Sequence, residues 1–307
     1  MALLELLEHL RSPLFTTLNM VFTVMGEGIF IICILCLIFW CVDKSFGYRL
    51  CFIFITSSLS VQTLKISLRI ERPFILNTDL NPVEAAKTTA TGYSFPSGHT
   101  QGATSLFLTL FLNSKRLLFK IIFILPIILV AFSRMYLGVH TPYDVCVSFV
   151  ISALITMFID YLFDNYALDR QHKKWIFLLL TMIVCAIMAY TFYLYITLSD
   201  IDIENLTDVT SVAGLTFGFL LGWILESEKI KFNEKATTLP FQVIKYLLGI
   251  ILLAIIKISF SWFFNYINLN TLISDFLEYM IISFFAVGIY PIIIKRFFTN
   301  EEMAYRR

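Results

Sequence analysis

Between residues 19 and 294 the chain repeats one pattern, an apolar run followed by a polar break. The runs fall at about 19–41, 50–69, 99–112, 117–136, 142–163, 175–198, 209–225, 242–264 and 276–294. Most are close to the roughly 20 residues that carry a helix across a hydrocarbon core of about 30 Å. In lipid a helix satisfies its own backbone hydrogen bonds, so the pattern predicts an all-α polytopic membrane protein with about nine transmembrane helices, the third short. Upstream, Leu3, Leu6, Leu7, Leu10 and Leu14 recur at helical spacing, with Glu5, Glu8 and Arg11 elsewhere. This predicts an amphipathic helix lying in the membrane interface. One connection is long, residues 70–98, and carries Pro73, Pro82, Gly92 and Pro96. Loops of that length in a compact chain are usually functional or disordered.

Composition narrows the class. Of 307 residues, 58% are hydrophobic and 15% charged, against roughly 25% charged in ordinary soluble domains. That excludes a soluble globular enzyme, a disordered chain and a disulfide-stapled secreted domain. A net charge of +1 with no basic arm excludes a nucleic-acid partner. Cys33 and Cys36 form a CxxC pair inside the first run and read as packing residues. Glu5 and Glu8 stand where a cleaved leader would be basic, so no cleavable signal peptide is expected.

Charge also sets orientation. With nine spans, fifteen of the 23 Lys and Arg residues fall on one set of connections, Arg306 and Arg307 included. Six fall on the other, and Lys245 and Lys257 lie inside the eighth run. The positive-rich side is cytoplasmic by the positive-inside rule. The N-terminus is then extracytoplasmic (lumenal in a eukaryote) and the C-terminus cytoplasmic. The acidic stretch Asp200, Asp202, Glu204 and Asp208 falls outside. It lacks the glycine and terminal glutamate of a calcium loop and reads as a solvated loop.

Three short stretches on that outer side carry candidate chemistry. Lys65 and Arg72 are seven residues apart at the end of the second run, a spacing that shares a helix face, and Pro73 stops the helix. Pro96-Ser97-Gly98-His99 opens the third run, where Ser97 can cap, Gly98 leaves the backbone open to an anion and His99 can move a proton. Ser133-Arg134 and His140-Thr-Pro-Tyr-Asp144 flank the start of the fifth run. Asp144, four residues after His140, can accept the Nδ1 proton and leave Nε2 as a nucleophile, while Arg134 offers a bidentate anion clamp. Three fixed cations with backbone donors match the equatorial oxygens of a phosphoryl group in transfer. No His, Cys or carboxylate set has metal-ligand spacing, so no cofactor is expected.

KxxxxxxRP, PSGH and SRxxxxxHxxxD, in that order, resemble the signature of the type 2 phosphatidic acid phosphatase family. Lys65, Arg72, Pro73, Pro96, Ser97, Gly98, His99, Ser133, Arg134, His140 and Asp144 all match. The resemblance implies a helical-bundle phosphatase core and metal-independent hydrolysis. It implies that His140 attacks phosphorus to form a phosphohistidine, that Asp144 orients it, and that His99 protonates the leaving oxygen. Lys65, Arg72, Ser97, Gly98 and Arg134 would hold the phosphate. The wording PSGHTQGAT and SRMYLGVH resembles the sphingoid-phosphate and glucose-6-phosphatase branch, although Asp144 resembles the lipid phosphatases.

The expected substrate is a lipid phosphate or diphosphate, hydrolysed at the extracytoplasmic face of the cell membrane. The alternatives are a lipid phosphotransferase using the same histidine, or a phosphatase for a soluble sugar phosphate. A catalytic bundle is expected over 1–165, or to 198 if the sixth helix completes it, with further transmembrane helices over 166–307. Glu27, in Met-Gly-Glu-Gly, and Arg69 are candidate supporting residues around the site. Gly214, Gly218 and Gly222 predict close helix packing, within the chain or between copies, and Lys257 reads as a snorkelling side chain. Oligomeric state is not written in the sequence.

Overall fold

A computed structural model describes residues 1–166, 170–198, 201, 203–235 and 238–298. Asp200, Asp202, Arg306 and Arg307 lie outside these residues. The chain forms two compact units. The first joins Met1–Ile32 to Leu50–Asn165, and the second joins Cys33–Arg49 to Tyr166–Arg307. The boundary near residue 165 coincides with the expected one, while residues 33–49, expected within the catalytic bundle, group with the C-terminal helices. Side-chain chemistry accounts for this. The indole of Trp40 donates to the Ala286 carbonyl, and Lys44 and Tyr48 both reach Glu226.

In the first unit, helix α1 (Ala2–His9) and helix α2 (Pro13–Val24) replace the single expected N-terminal helix. Ser12 caps α2 and Pro13 occupies its first position, which ends one helix and starts the next. The first apolar run is also broken. Helix α3 (Gly28–Leu37) continues into a π-turn at Ile38–Val42 and is bent by 49° from α2. The break falls at Gly26-Glu27-Gly28.

Helix α4 (Lys44–Leu68) leads into the 70–98 connection, which holds two short helices, α5 (Pro73–Leu76) and α6 (Glu84–Lys87). Helices α7 (Gly98–Leu112), α8 (Leu117–Tyr136) and α9 (Pro142–Asn165) follow. α7 packs on both α8 and α9.

The second unit holds α10 (Arg170–Thr197), α11 (Glu204–Leu225), α12 (Leu239–Tyr266), α13 (Thr271–Phe284) and α14 (Tyr290–Phe297). α11 and α13 form its tightest pair. A Cβ on Gly214 would strike the carbonyl of Phe276, and one on Gly218 would strike that of Met280. Backbones this close are the purpose of a small-residue stripe in a membrane helix, and the partner lies within the chain. Lys257 does not simply snorkel, since its ammonium pairs with Glu278 and lies over the Tyr279 ring.

Among the described residues, seven helices are long and apolar enough to span a membrane, or eight if the bent α2–α3 pair is one span. The all-α polytopic class is as expected. The count of nine is not reached, because the first run is broken and α7 has only 15 residues. That is about 22 Å of helix, against a core of about 30 Å.

Candidate active site

The site residues come together at one end of the first unit, where α4 and α8 finish and α7 and α9 begin. Helix α9 sets the centre. Its first turn is closed by a reciprocal cap, in which the Asp144 amide donates to Thr141 Oγ1 and the Thr141 amide donates to Asp144 Oδ2 at 2.8 Å. The same oxygen accepts from Ser94 Oγ at 2.7 Å and lies 3.5 Å from His140 Nδ1. Asp144 is thereby fixed before it acts on the imidazole.

Nε2 of His140 lies 2.9 Å from Nη1 of Arg72. A guanidinium only donates, so Nε2 accepts and the ring proton sits on Nδ1, facing Asp144 and Ser94. Burial holds the imidazole well below its usual range of protonation, and the charges of Arg72, Arg134 and Lys65 push the same way. The ring is neutral, with its lone pair turned toward the cations.

Arg72 does not sit on a helix face with Lys65. α4 ends at Leu68, Arg69 turns into the left-handed region at φ 51°, and Arg72 caps α5 in extended conformation. The residue before a proline avoids the helical region, so Pro73 dictates this. Arg72 is instead held by carbonyls, from Gly92 at 3.0 Å, Val139 at 3.2 Å and Thr91 at 2.5 Å. Arg69 is exposed and ends the helix rather than extending the cation face.

Lys65 remains on α4 and is buried. A Cβ added at Gly98 would lie 3.8 Å from its Nζ and 3.8 Å from the Gln62 amide, with nothing closer. The bare first turn of α7 thus faces an ammonium across a gap one atom wide. Ser97 caps that turn, its amide donates to the Asp144 carbonyl, and its own carbonyl accepts from Ser148 at 2.6 Å.

Arg134 is fully buried. Its Nη1 donates to Thr23 at 2.8 Å and Thr89 at 3.4 Å, while Nε and Nη2 have no hydrogen-bond partner among the described residues. His99 Nε2 is likewise buried without one. Unsatisfied buried donors cost free energy, and a cationic one costs most. His99 lies within electrostatic reach of Arg134, His140, Lys65 and Arg72.

Glu27 occupies the α2–α3 break and acts electrostatically on Arg134. The break itself lies against α7, since a Cβ on Gly26 would fall 2.6 Å from the His99 carbonyl. Ser94, Thr23 and Thr89 were not anticipated. Ser94 had a signal, being two residues from Pro96-Ser97 in a loop that must supply partners for a buried carboxylate. Thr23 and Thr89 had none, because isolated hydroxyls carry no spacing.

Residues 46–168 match the PAP2 superfamily, and residues 210–302 match the PAP2 superfamily phosphatase transmembrane extension. The two matched stretches together take in more than half of the chain. It belongs to the PAP2 superfamily. Among curated relatives, it is 30% identical over 113 residues to an undecaprenyl-diphosphatase of Sulfolobus acidocaldarius, covering 37% of this chain and 53% of that one. It is 24% identical over 267 residues to sphingosine-1-phosphate phosphatase 2 of Mus musculus, covering 78% of this chain and 73% of the mouse protein. Among solved structures, the first transmembrane PAP2 type phosphatidylglycerolphosphate phosphatase of Bacillus subtilis aligns with a TM-score of 0.46 at 23% identity. That alignment covers 55% of this chain and 86% of the other. The PAP2 match begins at residue 46, so Thr23 and Glu27, which serve Arg134, come from outside it.

Proposed function

We propose that this PAP2 protein hydrolyses a lipid phosphate or diphosphate at the extracytoplasmic membrane face, without a metal ion, through a phosphohistidine on His140. The observation that carries the reading is the His140 ring, with Nδ1 facing Asp144 and Nε2 presented as an acceptor among three cations. Nε2 forms the bond to phosphorus as the ester P–O bond breaks in line. His99 gives its proton to the leaving lipid oxygen, and the arriving phosphate charge favours the protonated ring. Water then attacks the phosphohistidine, the P–N bond breaks, and the water proton passes to His99. Arg134 Nε and Nη2, Lys65, the Ser97 hydroxyl and the Gly98 amide bind the equatorial oxygens, where charge develops.

The outer-face assignment rests on the distribution of Lys and Arg. The lipid substrate class is suggested by the two relatives named for lipid phosphates. The test is phosphate release by the purified protein in detergent with EDTA present. The panel holds undecaprenyl diphosphate, phosphatidic acid, sphinganine 1-phosphate and glucose 6-phosphate, with His140→Ala alongside. Release that needs His140 and survives EDTA is the expected result. Release only with an added alcohol acceptor would make the protein a phosphotransferase. Preference for glucose 6-phosphate would overturn the lipid assignment.

A further inference from the structure

The first unit carries a second polar feature that the catalytic residues do not use. Along α9, Asp144, Ser148, Ser152, Thr156 and Asp160 recur every four residues, and all five are buried. They mark one stripe about 24 Å long, running from the site to the far end of the helix. The facing helices answer it. Ser97 accepts from Ser148, Ser57 of α4 donates to Ser152 at 3.1 Å, and Asn113 donates to Asp160 at 2.9 Å. Ser58 of α4 donates to Gln101, and Gln101 donates to Ser105, at 3.2 Å each.

Small hydroxyls alone would be explained by close packing of helices. Two of them are not. Thr104 and Thr156 are fully buried, and their hydroxyls have no hydrogen-bond partner among the described residues. Neighbouring Thr109 returns its hydroxyl to the carbonyl four residues back, which is the ordinary solution in a helix. Thr104 is seven residues from Ser97 and shares the face that meets α9, as Thr156 shares the Asp144 stripe. Two orphan hydroxyls in a polar seam are the setting in which proteins hold buried water.

We infer that the seam between α4, α7 and α9 is a hydrated track that binds water at Thr104 and Thr156 and supplies the water-consuming step of the site. The supply role rests on the phosphatase reading; the hydration does not. The need for such a route follows from burial. Arg134 and His140 are buried against Thr89 and Ser94 of the 70–98 connection, Ser97 at its end is buried with them, and a bound lipid would close what approach remains. Lys65, Arg72 and Arg134 at the upper end form a positive barrier, so water can pass while protons are repelled. Asn113 is exposed at the lower end and marks its mouth.

Two measurements test this on the intact protein in lipid vesicles. Radiolytic hydroxyl labelling read by mass spectrometry should modify the peptides carrying Thr104 and Thr156. The near-isosteric pair Thr104→Val with Thr156→Val should lower that labelling at least severalfold. Absence of labelling in the unaltered protein, or labelling the valines leave unchanged, overturns the hydrated track whether or not any substrate is turned over. In rapid-quench kinetics the valine pair should slow phosphate release about tenfold while leaving the first-turnover burst of lipid alcohol intact. Equal phosphate release in both proteins overturns the supply role. A missing burst in the unaltered protein counts instead against the phosphohistidine.

Discussion

Each unit of this protein buries a group of charged side chains, and the two groups are finished differently. In the second unit Glu226 is completely buried, and its carboxylate meets the Lys44 ammonium at 2.8 Å, the Tyr48 hydroxyl and the Phe232 amide at 3.1 Å. In the first, Arg134 is just as buried, yet two of its three nitrogens have no partner among the described residues. The Glu226 group is complete in itself, whereas the Arg134 group has donors in place that the proposed phosphate would fill. Burial of charge therefore does not mark function. What separates the two groups is hydrogen-bonding capacity left open on a buried cation, where leaving it open is costly.

The sharpest break of this contrast is at His140. His140→Ala should lower phosphate release by about a thousandfold or more, since the nucleophile itself is lost. Unchanged release would remove the phosphohistidine. Next, Arg134→Lys should lower kcat/KM by about a hundredfold, because a point charge cannot replace the fork of open donors. Its thermal midpoint in detergent should hold or rise, as expected of a residue that serves function at the expense of stability.

Glu226→Ala should do the reverse. It strands the buried side of Lys44 and should cost about 3–5 kcal/mol, read as a lowered unfolding midpoint, with KM of the folded fraction unchanged. Gly218→Ala should cost about 1–3 kcal/mol by the same assay, because its methyl meets the Met280 carbonyl. The smallest effect is on pH. His140 is held neutral well below the usual imidazole range, so the acid limb of kcat/KM should lie below pH ~6.5. The sign for stability follows, since below ~6.5 the unfolded chain takes up a proton that the folded one refuses. That contribution is lost as pH falls, and His140→Asn should flatten the loss.

Most of the site was legible because its residues are chemically distinctive and locally spaced. Ser97, Gly98 and His99 occupy one helix start, and His140 and Asp144 another, so four-residue arithmetic suffices. The Lys65–Arg72 spacing misled for a physical reason. Counting by sevens assumes an unbroken helix, and a left-handed Arg69 followed by a pre-proline Arg72 ends it early. The polar stripe on α9 was present in the sequence at every fourth residue. It was hidden because Ser and Thr are unremarkable in apolar helices, and only burial shows that they face one seam. The bend in the first run was marked by Gly26 and Gly28, but hydropathy averages over two glycines and reads straight through.

The division of the first apolar run has a consequence for the gene as well as for the fold. A stop codon after Asn165 would look like a clean removal of the transmembrane extension. It would in fact delete the Ala286 carbonyl that the Trp40 indole bonds, the Tyr290 ring at 4.6 Å from it, and the Glu226 carboxylate on which Lys44 and Tyr48 rest. Residues 33–49 would be translated with nothing to fold against. The second unit cannot be lost as a simple tail, because residues 33–49, which pack within it, are encoded ahead of the candidate catalytic residues.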